Sequence, residues 1–335
     1  MPWYDIKASQ YGTILVNGYA YPFIEQSTLE QWMPDLTYLS SFSYGFTASG
    51  LLIPIDDLRL RQTAEAHNVA TMMVIAPIDE EGRFNNFLVT SILNDPAARD
   101  RLIENIYNEA INRGFSGVDF DFEYIPVENR EDYVTLVSMA TARLNPAGLI
   151  TSVALAPKTS ADQPGLLYEG HDYAGLGVAA NLVLLMTYEW GYTFGPPMAV
   201  APLNNVRQVL DYAVTEIPRE KILMGIPNYG YDWTLPFVQG ESMAESLSSV
   251  EARARAAQVG AEIQFDEVAQ SPFYEYTDAQ GRQHIVWFED GRSIRAKLEL
   301  VNEFDLAGIS FWTIMYPFPS AQEVLNELFT VAKVE

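Results

Sequence analysis

The chain has 335 residues, 44 of them acidic and 20 basic, for a net charge of −24; 48% of its residues are hydrophobic and none is cysteine. The length suits a barrel of about 250 residues carrying an insertion. The acidic balance disfavours nucleic acid and anionic membranes, which need concentrated Lys and Arg, and the missing thiols exclude disulfides, a thiolate nucleophile and Cys-type zinc sites.

Taken in order, residues 13–19 read as a first strand and 36–44 as a second, with a weakly marked helix at 27–32 between them. Asp56 or Asp57 caps a helix running to about His67. Residues 69–76 form a continuous apolar third strand, and 79–82 a loop. Asp95-Pro96 opens the next helix with a cap residue and a proline at the first position. Leu102, Ile103, Ile106, Tyr107, Ala110 and Ile111 then recur at helical spacing, and Gly114 ends it. A fourth strand follows and carries the acids considered below. A helix over 128–144 buries Tyr133, Leu136, Val137, Ala140 and Leu144. Residues 149–156 and 181–188 are the fifth and sixth strands, 202–214 a helix with Val206, Val209, Leu210 and Ala213 inward, and 221–227 the seventh strand. Residues 306–312 are the eighth strand and 321–331 the closing helix. Eight strands alternating with helices predict an α/β fold, a (β/α)8 TIM barrel.

About eighty residues between the seventh and eighth strands break the rhythm. They hold a helix near 250–257 and three strand-like runs at 263–268, 272–277 and 283–288. The last two flank Asp278-Ala279-Gln280-Gly281, a hairpin signal. The expected organisation is a catalytic barrel over 10–232 and 292–335 with a small α+β insertion at 233–291. A barrel loop this long is usually functional. No apolar run reaches membrane-spanning length. The first residues, Met1 to Lys7, lack a basic stretch followed by an apolar one, so the chain is expected either not to use that export route or to begin after a removed segment.

The fourth strand, Gly117-Val118-Asp119-Phe120-Asp121-Phe122-Glu123, concentrates the chemistry. With a side-chain period of two, Asp119, Asp121 and Glu123 share one face while Val118, Phe120 and Phe122 share the other. Three acids on one face repel each other and are poor strand formers. One reading is a solvated edge strand, and a second is a Mg or Ca site. The third is acid/base catalysis, because crowded carboxyls cannot all ionise and one keeps a proton near neutral pH. The preceding helix places the strand inside an α/β unit, where strands are covered on both faces and active sites lie at the C-terminal mouth. His67, His171 and His284 are not at ligand spacing to one another.

Ser116-Gly117-Val118-Asp119-Phe120-Asp121-Phe122-Glu123 resembles the DxxDxDxE signature of family 18 glycoside hydrolases, the chitinase-like (β/α)8 enzymes, with Ser116 in place of the first Asp. Met186-Thr187-Tyr188-Glu189 is similar to that family's Met-x-Tyr-Asp after the sixth strand, with Glu189 for Asp. Trp312 stands where the family has a tryptophan at the end of the eighth strand, and Tyr19 matches a cleft position more loosely. The resemblance implies that Glu123 is the acid, Asp121 orients the substrate's acetamide, Asp119 tunes Asp121, Tyr188 holds the acetamido oxygen, and Trp312 floors the sugar. Glu189, Met186 and Tyr19 would complete the binding surface. Taken alone, Tyr188 and Trp312 also fit simple core packing. Gly195-Pro196-Pro197, the stretch 225–233, and Tyr316-Pro317-Phe318-Pro319 resemble one branch, the spore cortex-lytic peptidoglycan N-acetylglucosaminidases. That likeness implies a polysaccharide with N-acetyl sugars as substrate, action at the cell wall, spore or outside the cell, and no cofactor or metal. The branch's N-terminal LysM repeats are not visible in this chain. Chitin oligomers, or glycan binding without cleavage, are the alternatives.

Overall fold

The computed structural model describes residues 10–334; the start read for an export signal lies outside them. Eight parallel strands close into a barrel: Thr13–Ala20, Tyr38–Phe46, Ala70–Ile75, Gly117–Phe120, Ile150–Leu155, Leu182–Leu185, Ile222–Pro227 and Gly308–Trp312. Each pairs with its sequence neighbours, and the first strand closes the ring on the eighth, with Leu15 opposite Gly308 and Gly18 opposite Phe311. The eight expected strands are all present. The second lies two residues later than expected, and the sixth is shorter because its main chain leaves the ladder after Leu185.

The helices form close to where caps and periodicity placed them, although Asp57 makes no capping bond at the start of Leu58–Ala66 and the closing helix runs Pro319–Leu328, with Thr330–Val331 a short strand beside the first barrel strand. Asp95 accepts from the N–H groups of Ala97 and Ala98 at 3.0 and 3.2 Å, Pro96 starts the helix Pro96–Arg113, and Gly114 ends it with φ +72°, a conformation glycine adopts without strain. Two helices without a clear periodic signal also appear, Phe87–Asn94 and Tyr173–Ala179.

Burial separates two apolar layers. Val118, Phe120 and Phe122 point outward into the large core beneath the helices, where Phe122 stacks on Tyr133 at 5.4 Å. Inside the barrel Val74, Ala154, Leu182, Leu184 and Leu223 pack together with Tyr19 and Phe42. One interior layer is polar: Ser40 donates to Asn17 Oδ1 at 2.7 Å, and Asn17 donates to Ser310 at 2.9 Å. The alternation along each strand therefore sends one set of side chains to the helices and the other into the barrel.

The excursion before the eighth strand is a five-stranded antiparallel sheet with one helix. Its strand order is Glu245–Ser248, Tyr229–Thr234, Gln283–Trp287, Ser271–Thr277, Gln264–Asp266. Its sheet starts at Tyr229, earlier than the expected boundary at 233, because 229–234 pairs with 284–287 instead of continuing the barrel. The helix Ser249–Val259 begins with a Ser248/Glu251 capping box. Where the chain re-enters the barrel, Glu289 and Lys297 form a fully buried pair at 2.9 and 3.2 Å. Among the described residues no helix is long and apolar enough to cross a membrane.

Removing one partner of a buried pair leaves an uncompensated charge. Lys297→Met is expected to lower stability by about 3–5 kcal/mol, and Lys297→Met combined with Glu289→Leu to recover most of the loss. Urea unfolding of the two variants checks this, and equal losses in both would rule out the pair as the cause.

Candidate active site

The fourth strand's ladder ends at Phe120, so Asp121 and Glu123 stand just past it, at the C-terminal mouth of the barrel. Asp121 N–H still donates to Ile75 O at 2.9 Å, which keeps the chain extended and preserves the alternation. Asp119 lies deepest, 1% exposed; Asp121 is 6% exposed, and Glu123 is half-buried and faces the cavity. The main chain then turns through a left-handed conformation at Tyr124, φ +53°. Glu189, on the loop after the sixth strand, has φ +68°. Such backbone costs on the order of 1–3 kcal/mol for a residue with a Cβ and gathers at functional sites.

The carboxyl groups sit in different surroundings. Asp119 Oδ2 accepts from the Tyr19 hydroxyl at 2.6 Å and Oδ1 from Ser152 at 2.5 Å. Burial raises its pKa, and the two hydroxyl donors oppose that rise. Asp121 Oδ1 is buried without a hydrogen-bond partner among the described residues. Burial, then the charges of Glu123 and Asp119, push Asp121 well above the ordinary carboxylate range. Glu123 is raised by burial and by the neighbouring Glu189 carboxylate. Glu189 is exposed at the rim, and its Oε1 accepts from Tyr229 at 2.5 Å and Tyr231 at 2.8 Å. Desolvation raises Glu189 as well, against the lowering effect of those two donors.

The cavity measures about 230 Å³, near the lower end of small-ligand sites, and so holds roughly one sugar ring deeply. Tyr19, Asp121, Glu123, Met186, Tyr188, Glu189 and Trp312 all line it. Trp312 is half-buried and packs edge-on against Phe42 at 4.9 Å and Tyr19 at 5.3 Å, leaving part of its surface to the cavity. Tyr188 is 9% exposed, and its hydroxyl lies within the field of Asp121, Glu123 and Glu189, so burial and those charges push its pKa far up. Tyr19 reaches the cavity with its ring, but its hydroxyl is engaged by Asp119. Among the described residues no Lys or Arg lines the cavity. Among the described residues no group of three or more His, Asp or Glu side chains is placed to hold a metal ion.

Residues 28–316 match the family described as Glycosyl hydrolases family 18. The chain belongs to glycosyl hydrolase family 18. This family 18 chain is 44% identical over 308 residues, 92% of its length and 71% of the relative's, to the cortical fragment-lytic enzyme of Bacillus subtilis (strain 168). The crystal structure of the spore cortex-lytic enzyme SleL of Bacillus megaterium QM B1551 superposes with a TM-score of 0.92 at 39% identity, covering 98% of this chain and 76% of that one. A chitinase from Chromobacterium violaceum shares the fold, with a TM-score of 0.86 at 24% identity over 94% of this chain and 98% of that one.

Sequence reasoning missed Ser152 and the tyrosine partners of Glu189. Ser152 left a signal, a polar residue at an inward position of an apolar strand. Tyr229 and Tyr231 alternate in the stretch 225–233, but only the inserted sheet directs them to Glu189. Tyr21, Phe84, Pro157 and Leu167, which also line the cavity, sit on loops without periodic pattern.

The raised Asp121 has a consequence for stability. An acid whose pKa is higher in the folded state contributes stability that is complete below its unfolded pKa, near 4, and is lost as pH rises through the folded value. Asp121→Asn removes that loss. The variant is expected to gain on the order of 1 kcal/mol over the parent at pH 7, and to lose the advantage near pH 4. Urea unfolding at both pH values measures it, and a gain independent of pH would mean that Asp121 ionises normally.

Proposed function

We propose that the protein is a retaining, substrate-assisted glycosidase that cuts bacterial cell-wall glycan after N-acetylglucosamine. The observation that carries this reading is a half-buried glutamic acid, Glu123, open to a one-sugar cavity and standing two residues beyond a buried, unpaired Asp121. Glu123, its pKa raised, donates its proton to the glycosidic oxygen. The carbonyl oxygen of the sugar's own 2-acetamido group attacks C1, the C1–O bond to the leaving group breaks, and an oxazolinium ion forms. Asp121 receives the acetamide N–H on its free oxygen and stabilises the cation that develops. Asp119, held by Tyr19 and Ser152, supports Asp121 from below. The Tyr188 hydroxyl steadies the acetamido oxygen, and the Trp312 ring lies under the sugar. Glu123, now a carboxylate, takes a proton from water as the water oxygen attacks C1 and the C1–O bond of the oxazolinium breaks, which regenerates the acetamide and the acid and leaves C1 in its starting configuration. Met186 and Glu189 complete the wall.

The lining supports a neutral sugar at the cleaved position. A carboxylate substituent, as on N-acetylmuramic acid, would meet Asp121, Glu123 and Glu189 with no basic residue to pair it. Cell-wall glycan as the polymer is supported by the 44% identity to the cortical fragment-lytic enzyme, whose name states its substrate.

Soluble products from spore cortex fragments, vegetative peptidoglycan and chitin oligomers test the reading. The parent is expected to release wall fragments ending in reducing N-acetylglucosamine, and Glu123→Gln to fall about 10²- to 10⁴-fold. Substrates without the 2-acetamido group are expected to be inert. Cleavage of chitin oligomers alone would move the substrate to chitin, and binding without cleavage would make the protein a lectin.

Glu189→Gln removes a negative neighbour of Glu123 and so lowers its pKa. The acid form then disappears at lower pH, and the alkaline limb of the kcat/KM profile is expected to move toward acid. An unmoved limb would show that Glu189 does not set the proton affinity of Glu123.

A further inference from the structure

After the Asp121 N–H bond to Ile75 O the main chain carrying Glu123 leaves the strand ladder, yet the Phe122 carbonyl is not left open. His171, 0% exposed, donates to it from Nε2 at 2.8 Å. The other ring nitrogen, Nδ1, accepts from the N–H of Ala156 at 2.9 Å. Ala156 directly follows the fifth strand, so one imidazole bridges the C-terminal ends of two neighbouring barrel strands at the residue before Glu123. Donating through one nitrogen while accepting through the other requires the neutral ring, and burial holds the His171 pKa down to about 4.

The ring is itself anchored. Tyr133 lies between Phe122 and His171, nearly parallel to both. Lys158 Nζ donates to the His171 carbonyl and to Ala161 O, both at 3.0 Å. The Tyr173 hydroxyl donates to Ala156 O at 2.5 Å and accepts from Lys158 N–H at 2.9 Å. The residue before His171 contributes as well. A Cβ on Gly170 would lie 2.2 Å from Ile125 O, so only glycine lets this turn rest on the chain two residues past Glu123. One turn thus grips the main chain on both sides of Glu123.

We propose that His171 is a positioning residue for Glu123, acting through the Phe122 carbonyl; this rests on the reading of Glu123 as the acid. His171 touches no substrate. It holds the unpaired end of the fourth strand so that the carboxyl meets the glycosidic oxygen at one distance and stays in a desolvated setting. Both of its bonds fall on the two strand ends beside the cavity.

The test compares His171→Leu, His171→Gln and Glu123→Gln on the same soluble wall fragments. His171→Leu orphans the Phe122 carbonyl and the Ala156 N–H. It is expected to lose about 10- to 100-fold in kcat with little change in KM. Its alkaline limb is expected to shift to lower pH as water reaches Glu123 beside Glu189, Asp121 and Tyr124. His171→Gln keeps a donor for Phe122 and is expected to recover most of kcat at the parent pH profile, whatever its melting temperature. A folded His171→Leu with parental kcat and pH profile would overturn the proposal, as would equal kcat losses in both variants. Turnover retained by Glu123→Gln would instead overturn the reading of the acid itself.

Discussion

Four carboxyl groups meet at the mouth of one barrel with no cation among the cavity-lining residues, and the surrounding structure is arranged around that repulsion. Each acid is handled differently. Asp119 is saturated by two hydroxyls. Glu189 shares one oxygen between two tyrosines. Asp121 is buried with a free oxygen, and burial with the charges of Glu123 and Asp119 raises its proton affinity. Glu123 lines the cavity with a proton affinity raised by burial and by the Glu189 carboxylate. Hydroxyl donors, unlike Lys or Arg, satisfy a carboxylate without cancelling the field that raises its neighbours.

The scaffold divides the labour between two layers. Outward-facing Val118, Phe120 and Phe122 anchor the fourth strand in the core beneath the helices, and this packing supplies the stability against which the inward acids are held. The barrel alone does not complete the site. Tyr229 and Tyr231 come from the first strand of the inserted sheet, and His171 from the connection after the fifth strand. The inserted unit therefore takes part in the cavity's electrostatics through its two tyrosines on Glu189. The buried Glu289–Lys297 pair lies where the chain returns from that sheet to the barrel.

How much of this was legible in the sequence follows from range. Asp119, Asp121 and Glu123 announced themselves because a period of two within seven residues is a local property, and the resemblance extended the reading to Tyr188 and Trp312. The expectation that the acids lie within one regular strand was less accurate. The ladder stops at Phe120, since where it stops depends on where the neighbouring strands diverge. The boundary of the inserted unit likewise moved to Tyr229, because alternation alone does not say which sheet a strand joins.

The sequence by itself determined the barrel class, the order of its strands and the identity of the acids, since periodicity, caps and glycine stops act within a turn or a strand. Only the tertiary structure decided what each acid experiences. Tyr19 and Asp119 are 100 residues apart, Ser152 and Asp119 are 33 apart, Tyr231 and Glu189 are 42 apart, and His171 and Phe122 are 49 apart. Proton affinity is set by such partners and by burial, and both exist only once the chain has closed on itself.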